Sequence, residues 1–368
     1  MTQPLGPQPI AGTDAFAGRG RDARLSQAAI VLAVGAAAGG VPERVDEPTA
    51  LGLPDDLAAC GQSDPIPVAR AVAPLAVELD EHLGAPQPLP AATSVGLMSE
   101  LLARPDPVTA AALVEANLHS PSRLVRTAAA VAALSTTGPR DDLLAHLVDG
   151  ASRGGRLTRA IARIGVARID PQNEVLRHLV GRPSPLTGRD RPSHTAVLTH
   201  GTFGAPTQWW RPGGDFYTYL DGLAPPLKLH DPSFGWSGLY SDGARRLAAQ
   251  QLAVWLVDQN LQQPDFVGHS HGGTVANLAT GLGVELDRLV LLSWPVHPQW
   301  FPDFTRVGRI IDIRVRADLV ILADLGLQVF TPPPAAAGQV TTYRNGWFQH
   351  ELTHSPAYWN QYQLPAAL

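Results

Sequence analysis

The chain has 368 residues, enough for about two domains at roughly 150 residues each. It carries 28 Lys and Arg against 33 Asp and Glu, a net charge of −5, so a nucleic-acid partner is excluded as a first reading. With 45% hydrophobic and 17% charged residues it can bury a real core, and its single cysteine, Cys60, excludes an internal disulfide and any CxxC zinc site.

Residues 1–25, rich in Gly, Pro and Gln, read as a flexible tail. The apolar run Ala28 to Gly40 is too short for a membrane span. It follows three arginines, so a secretory leader competes with a short N-terminal helix in a cytoplasmic protein; the cytoplasmic reading is preferred. Residues 26–181 read as an α-helical domain. Helices are predicted over Val108–Leu118, Pro121–Leu134, Asp141–Val148 and Leu157–Ile169, with Ser120 and Pro121 as an N-cap and first helical residue. Arg123, Leu124, Arg126 and Ala129 recur 33 residues later as Arg156, Leu157, Arg159 and Ala162. That period suggests an α-solenoid, and SRLVRTAAAVAAL resembles the second helix of a HEAT-type repeat. No catalytic constellation lies in this half, which reads as a scaffold or a surface for a protein partner.

The segment 182–193 reads as a linker. Of 23 aromatic residues, 22 follow residue 190, so the two halves do not share one composition. From 194 to 368 the pattern alternates. Strands are predicted at Thr195–Thr199, Pro225–His230, Asp265–Gly268, Arg288–Leu292, Ile310–Val315 and Val340–Tyr343. Helices are predicted at Asp242–Val257, capped by Ser241 with Leu247, Leu252, Trp255 and Leu256 on its apolar side, at Gly272–Leu282, and around His354–Trp359. This order predicts an α/β domain, a mostly parallel sheet with helices on both faces.

Gly268-His269-Ser270-His271-Gly272 fits G-x-S-x-G between a strand and a helix, the context in which a sharp turn exposes a serine nucleophile. His200-Gly201-Thr202-Phe203-Gly204 follows the first strand. Its Thr202 N–H, or Phe203 if the register slips by one, would join the His271 N–H as an oxyanion donor. Asp318 follows a late strand and is the candidate acid, ahead of Asp312 and Asp324. For the base, His350 and His354 both stand near the C-terminus. Phe203, Trp209 and Trp210 are candidates to line an acyl pocket. Arg211 stands near the expected mouth, where a solvated arginine is expected.

Residues 195–368 resemble an α/β-hydrolase of the lipase/esterase kind, through HGTFG, GHSHGG, RADLV and THSPAYW. The resemblance implies a Ser270–Asp318–His354 triad, with Ser355 and Trp359 after the histidine favouring His354, and no cofactor. The stretch is short for that fold and carries no obvious cap, as in minimal lipases. The expected activity is hydrolysis of a small-molecule or lipid carboxylic ester through an acyl-enzyme. Acyl transfer or a thioesterase reaction on the same triad, and a non-catalytic scaffold with a degenerate hydrolase module, are the alternatives. His350-Glu351-Leu352-Thr353-His354 also fits H-E-x-x-H, but no third zinc ligand follows it, so no metal is expected.

Overall fold

The computed structural model of the protein describes residues 14–38, 107–184, 195–223 and 227–368. Cys60, most of the 182–193 linker, and the start of the predicted 225–230 strand lie outside them.

The helical half begins earlier than its composition implied. Helix α1 spans Asp14–Ala38, so the expected tail is helical from Asp14. From Ala28 to Val34 every side chain of α1 is buried, and a helix apolar all round belongs inside a core. It packs with α2 (Pro107–Asn117) and α3 (Arg123–Thr136). Among the described residues no helix is long and apolar enough to cross a membrane.

Helices α4 (Asp141–Arg153) and α5 (Arg156–Ile169) follow, then the single turn α6 (Glu174–Arg177). The 33-residue recurrence therefore marks the first residues of α3 and α5, and its alanines, Ala129 and Ala162, are both fully buried. The cap prediction at Ser120 fails by two residues. Pro121 precedes the helix, Ser122 holds the N-cap position, and the Ser120 hydroxyl accepts the Ser122 N–H at 3.3 Å.

The second half is built on five parallel strands in chain order: β1 (Ala196–Thr199), β2 (Asp265–His269), β3 (Leu286–Leu292), β4 (Val307–Arg316) and β5 (Val340–Trp347). Burial is nearly continuous along β1 to β4, as expected when both faces of a parallel sheet are covered. Alternate residues serve opposite faces. Val197, Phe266, Leu289, Leu291 and Ile310 pack against α8 (Asp242–Asp258) and α9 (His271–Thr280). Ala196, Leu198, Val267, Val290, Leu292 and Ile311 pack against α7 (Asp215–Asp221) and α11 (Pro356–Gln361). The strand expected at 225–230 reduces to one parallel bridge, Ala196 to Leu229.

Ser241 caps α8 as expected, accepting the Ala244 N–H at 3.2 Å, but Leu247 is 54% exposed rather than on the buried side. Leu252, Trp255 and Leu256 are in the core as expected.

A short helix, α10 (Leu319–Ala323), joins the two halves. Leu319, Val320, Leu322 and Ala323 belong to the same apolar cluster as α1, α3 and α5, together with Phe203 from the loop after β1. Arg168 of α5 adds donors to Ala323 O and Val131 O. The halves differ in composition but share a core. All eight tryptophans lie after residue 190, so tryptophan fluorescence reports the sheet half, whereas far-UV circular dichroism weights the helical half. Shared packing predicts coincident chemical unfolding by the two probes. It also predicts that Leu319→Ala shifts both together, by about 2–5 kcal/mol; two separated transitions would contradict it.

Candidate active site

Parallel strands send every strand-to-helix turn to one edge of the sheet, and the predicted site residues gather there. Ser270 follows β2 directly, with φ 53° and ψ −131°, a left-handed conformation that costs a non-glycine residue energy. Its N–H donates to Leu292 O at 2.8 Å, which ties the turn to β3.

The loop 200–204 lies against this turn at a distance only glycine tolerates. A Cβ on Gly201 would stand 2.5 Å from Ser270 Cβ, and one on Gly272 would stand 2.6 Å from His200 O. His200 anchors the loop. It is fully buried, stacks on Trp236 at 5.7 Å, and its carbonyl accepts the Trp236 Nε1–H at 2.8 Å. Burial pushes its imidazole down to about 4, so it stays neutral. The Phe203 N–H donates to Gly238 O at 2.9 Å, so Phe203 does not take the role a one-residue slip would have given it. No main-chain acceptor takes the Thr202 N–H, and the His271 N–H is at the first position of α9, where no intrahelical partner exists.

Asp318, the expected acid, bonds His350 rather than His354. Asp318 follows β4 and is fully buried. Its Oδ1 caps α10 by accepting the Val320 and Ile321 N–H groups at 3.0 and 3.2 Å. Its Oδ2 accepts the Nδ1–H of His350 at 2.8 Å. His350 Nε2 is buried and, among the described residues, has no hydrogen-bond partner. The Asp318 bond fixes the proton on Nδ1 and leaves Nε2 as a free acceptor. His354 does not reach Asp318, and its assignment as the triad base is corrected on that ground. Its ring lies flat on Trp209 at 4.1 Å, 8° from parallel, and burial pushes it down to about 3.

The reason lies in the path of HELTH. Residues His350–His354 form a 3-10 turn, in which residues four apart point about 120° away from each other. Trp359 Nε1 donates to Thr353 O at 2.8 Å, and Thr353 Oγ1 donates to Ser293 Oγ at 3.1 Å; both pin the turn. The motif therefore lacks the shared helical face of a zinc-protease helix, and Glu351 pairs with Arg156 at 3.2 Å. Among the described residues no cluster of three or more His, Cys, Asp or Glu side chains is arranged to hold a metal.

Ser270, His350 and His354 line one cavity of about 130 Å³ with Thr202, Phe203, Trp209, His269 and His271. Trp210 does not: it is buried in the sheet core, donating Nε1–H to Gly204 O at 3.2 Å, so its substrate-binding assignment is corrected to a packing role. Part of the wall comes from the helical half, through Ala160, Arg163 and Ile164 of α5. Arg211, expected to be solvated, is tied back instead. It donates to Ala205 O at 2.6 Å and lies over Trp210.

Asp324, ranked below Asp318 in the sequence, is a second buried carboxylate near Ser270, and its two histidine partners were not foreseen. Asp324 accepts the Nε2–H groups of His271 and His297 at 3.1 and 2.9 Å. Burial opposes its ionisation, but these two histidines overcome that and hold it well below the usual carboxylate range. His271 Nδ1 accepts from Thr274 Oγ1 at 3.1 Å, and Thr274 in turn accepts the Trp294 Nε1–H at 3.0 Å. Burial pushes His271 down to about 4, consistent with a neutral ring bonded through both nitrogens. The two histidines, Asp324 and Thr274 lie 3 to 53 residues apart, with no motif spacing to betray them. Asp312 is structural: its carboxylate takes Arg314 Nε and Nη2 at 2.7 and 2.8 Å inside the sheet.

No protein-family model, no curated protein and no solved structure matches the chain.

Four histidines, His200, His269, His271 and His354, are held below their ordinary value, each chiefly by burial. Their unfolded forms take up protons near pH 6.5, while the folded forms resist until about pH 4 or lower. Between those values the unfolded state binds more protons, so stability falls as pH falls. The melting temperature is expected to drop as pH is lowered from about 7 to about 5, less steeply in His354→Gln. An unchanged slope in that variant would contradict the assigned environment of His354.

Proposed function

We propose that the protein is a serine hydrolase of the α/β-hydrolase kind that cleaves short carboxylic esters. The observation that carries the reading is the Asp318–His350 bond of 2.8 Å, which leaves a buried, unpartnered Nε2 in the same cavity as a serine on a strained strand–helix turn. A serine nucleophile needs a base within reach and an acid to orient that base.

In the proposed reaction, Ser270 Oγ attacks the ester carbonyl while His350 Nε2 takes its proton. Asp318 holds the imidazole in the Nδ1–H tautomer and stabilises the imidazolium that forms. The Thr202 and His271 N–H groups receive the developing oxyanion, each contributing about 3 kcal/mol to the transition state. The proton then passes to the leaving alcohol. Water, deprotonated by the same histidine, hydrolyses the acyl-enzyme. His350 Nε2 and Ser270 make no hydrogen bond before substrate arrives, a looseness common in unliganded sites.

The volume of the cavity supports a small substrate. At about 130 Å³ it is well below the ~300 Å³ at which drug-sized ligands begin to fit, so a short acyl group suits it better than a fatty chain.

The test is hydrolysis of p-nitrophenyl esters of increasing acyl length. Ser270→Ala and His350→Ala are each expected to lower kcat by ~10⁴-fold or more, and EDTA to have no effect. His354→Phe, which keeps a flat ring on Trp209, retains most of the rate. Equal losses in the His350 and His354 variants, or turnover that survives Ser270→Ala, would overturn the assignment. Gly201→Ala is expected to lower both kcat and the melting temperature, because the added methyl would stand 2.5 Å from Ser270 Cβ and 2.9 Å from the His269 carbonyl oxygen.

A further inference from the structure

Helix α5 contains four arginines and no acid, an arrangement that carries an electrostatic cost. Three of the four are accounted for. Arg156 pairs with Glu351, Arg159 is exposed, and Arg168 donates to Val131 O, Ala323 O and Ser135 Oγ. Arg163 is different. It is half-buried, lines the cavity that holds Ser270, and among the described residues has neither a hydrogen bond nor a carboxylate within ion-pair distance. Desolvation holds its guanidinium below the ordinary value, with Arg159 one turn away adding to the shift and the Glu351 carboxylate opposing it.

The other ionisable groups on or behind the cavity wall already have hydrogen-bond or ion-pair partners. Glu351 is engaged by Arg156, and Asp324 by His271 and His297. Asp318 is bonded to His350. Arg211 is turned onto Trp210 and Ala205 O. Arg163 is therefore the cation on this wall that, among the described residues, has no hydrogen-bonded or ion-paired partner. Leaving a guanidinium partly desolvated without a partner disfavours the empty state, and a bound anion would relieve it.

We propose that Arg163 is a specificity determinant for a carboxylate on the ester, so that the substrate is a half-ester of a short dicarboxylic acid. The inference rests on the serine-hydrolase reading above. A planar guanidinium matches a carboxylate through two parallel hydrogen bonds, which a neutral acyl chain cannot return. The small cavity limits the spacer between the ester carbonyl and the acid to a few carbons. The helical half thus has a chemical part in the site: it brings the cation that selects the substrate.

The experiment compares the p-nitrophenyl half-ester of glutaric acid with p-nitrophenyl pentanoate, which has the same carbon count without the charge. Wild type is expected to favour the half-ester in kcat/KM. Arg163→Gln is expected to lower that preference by roughly 10- to 100-fold, mostly through KM, the scale of a lost charged hydrogen bond, with Arg163→Lys in between. An unchanged preference in Arg163→Gln overturns the proposal. Turnover of the neutral ester, and its loss in Ser270→Ala, reports separately on the hydrolase reading. Glutarate binding by calorimetry needs no turnover. Binding by wild type and not by Arg163→Gln supports the carboxylate site, and equal affinity, or no binding by either, refutes it.

Discussion

The carboxylate of Asp318 is the constraint on which the site's geometry depends. One oxygen closes the first turn of α10 by accepting two main-chain N–H groups, and the other holds His350 in a single tautomer. A fully buried carboxylate is tolerable only when such donors replace its hydration. Its main chain is fixed as well: Gln328 Oε1 accepts the Asp318 N–H at 2.9 Å, and Gln328 Nε2 donates to Asp318 O at 3.2 Å. Moving this side chain would at once uncap a helix, release an imidazole and leave a buried charge unpaired.

That helix is also where the two halves meet. Its apolar residues are shared with α1, α3 and α5, so the cluster that stabilises the helical half also seats the residue that orients His350. Packing on this side of the cavity does the work a separate cap would otherwise do, as Ala160, Arg163 and Ile164 close the wall over Ser270. The chain lacks an inserted lid between β3 and β4, and its roof comes from the sequence that precedes the sheet.

Much of this was legible residue by residue. Helices α2 to α5 fall within five residues of their predicted bounds, because Ala- and Leu-rich periodicity with Pro and Gly punctuation is a local signal. G-x-S-x-G lies between β2 and α9 because the turn itself demands its glycines. The choice between His350 and His354 was not legible. It depends on whether HELTH winds as an α-helix or a 3-10 turn, and on Trp359 holding Thr353, which are tertiary facts. Trp359 did mark the right loop, but by fixing the turn that presents His350. The 225–230 strand differs for a related reason: among the described residues 227–230, Leu229 alone bridges β1. Nor does composition disclose that Trp210 faces inward while Trp209, its neighbour, lines the cavity. Adjacent residues point different ways, and local sequence does not say which of them meets the ligand.

The shared cluster around α10 bears on how such a chain can change over generations. In most two-domain proteins a duplicated or transplanted domain arrives folded, because its core is its own. Here a recombination point between the halves would leave Leu319, Val320 and Leu322 without the helices they pack against. The sheet half is therefore inherited together with its helical neighbour or not at all. Variation is expected to collect on the exposed faces of α4 and α8, while the α3–α5–α10 contact stays fixed.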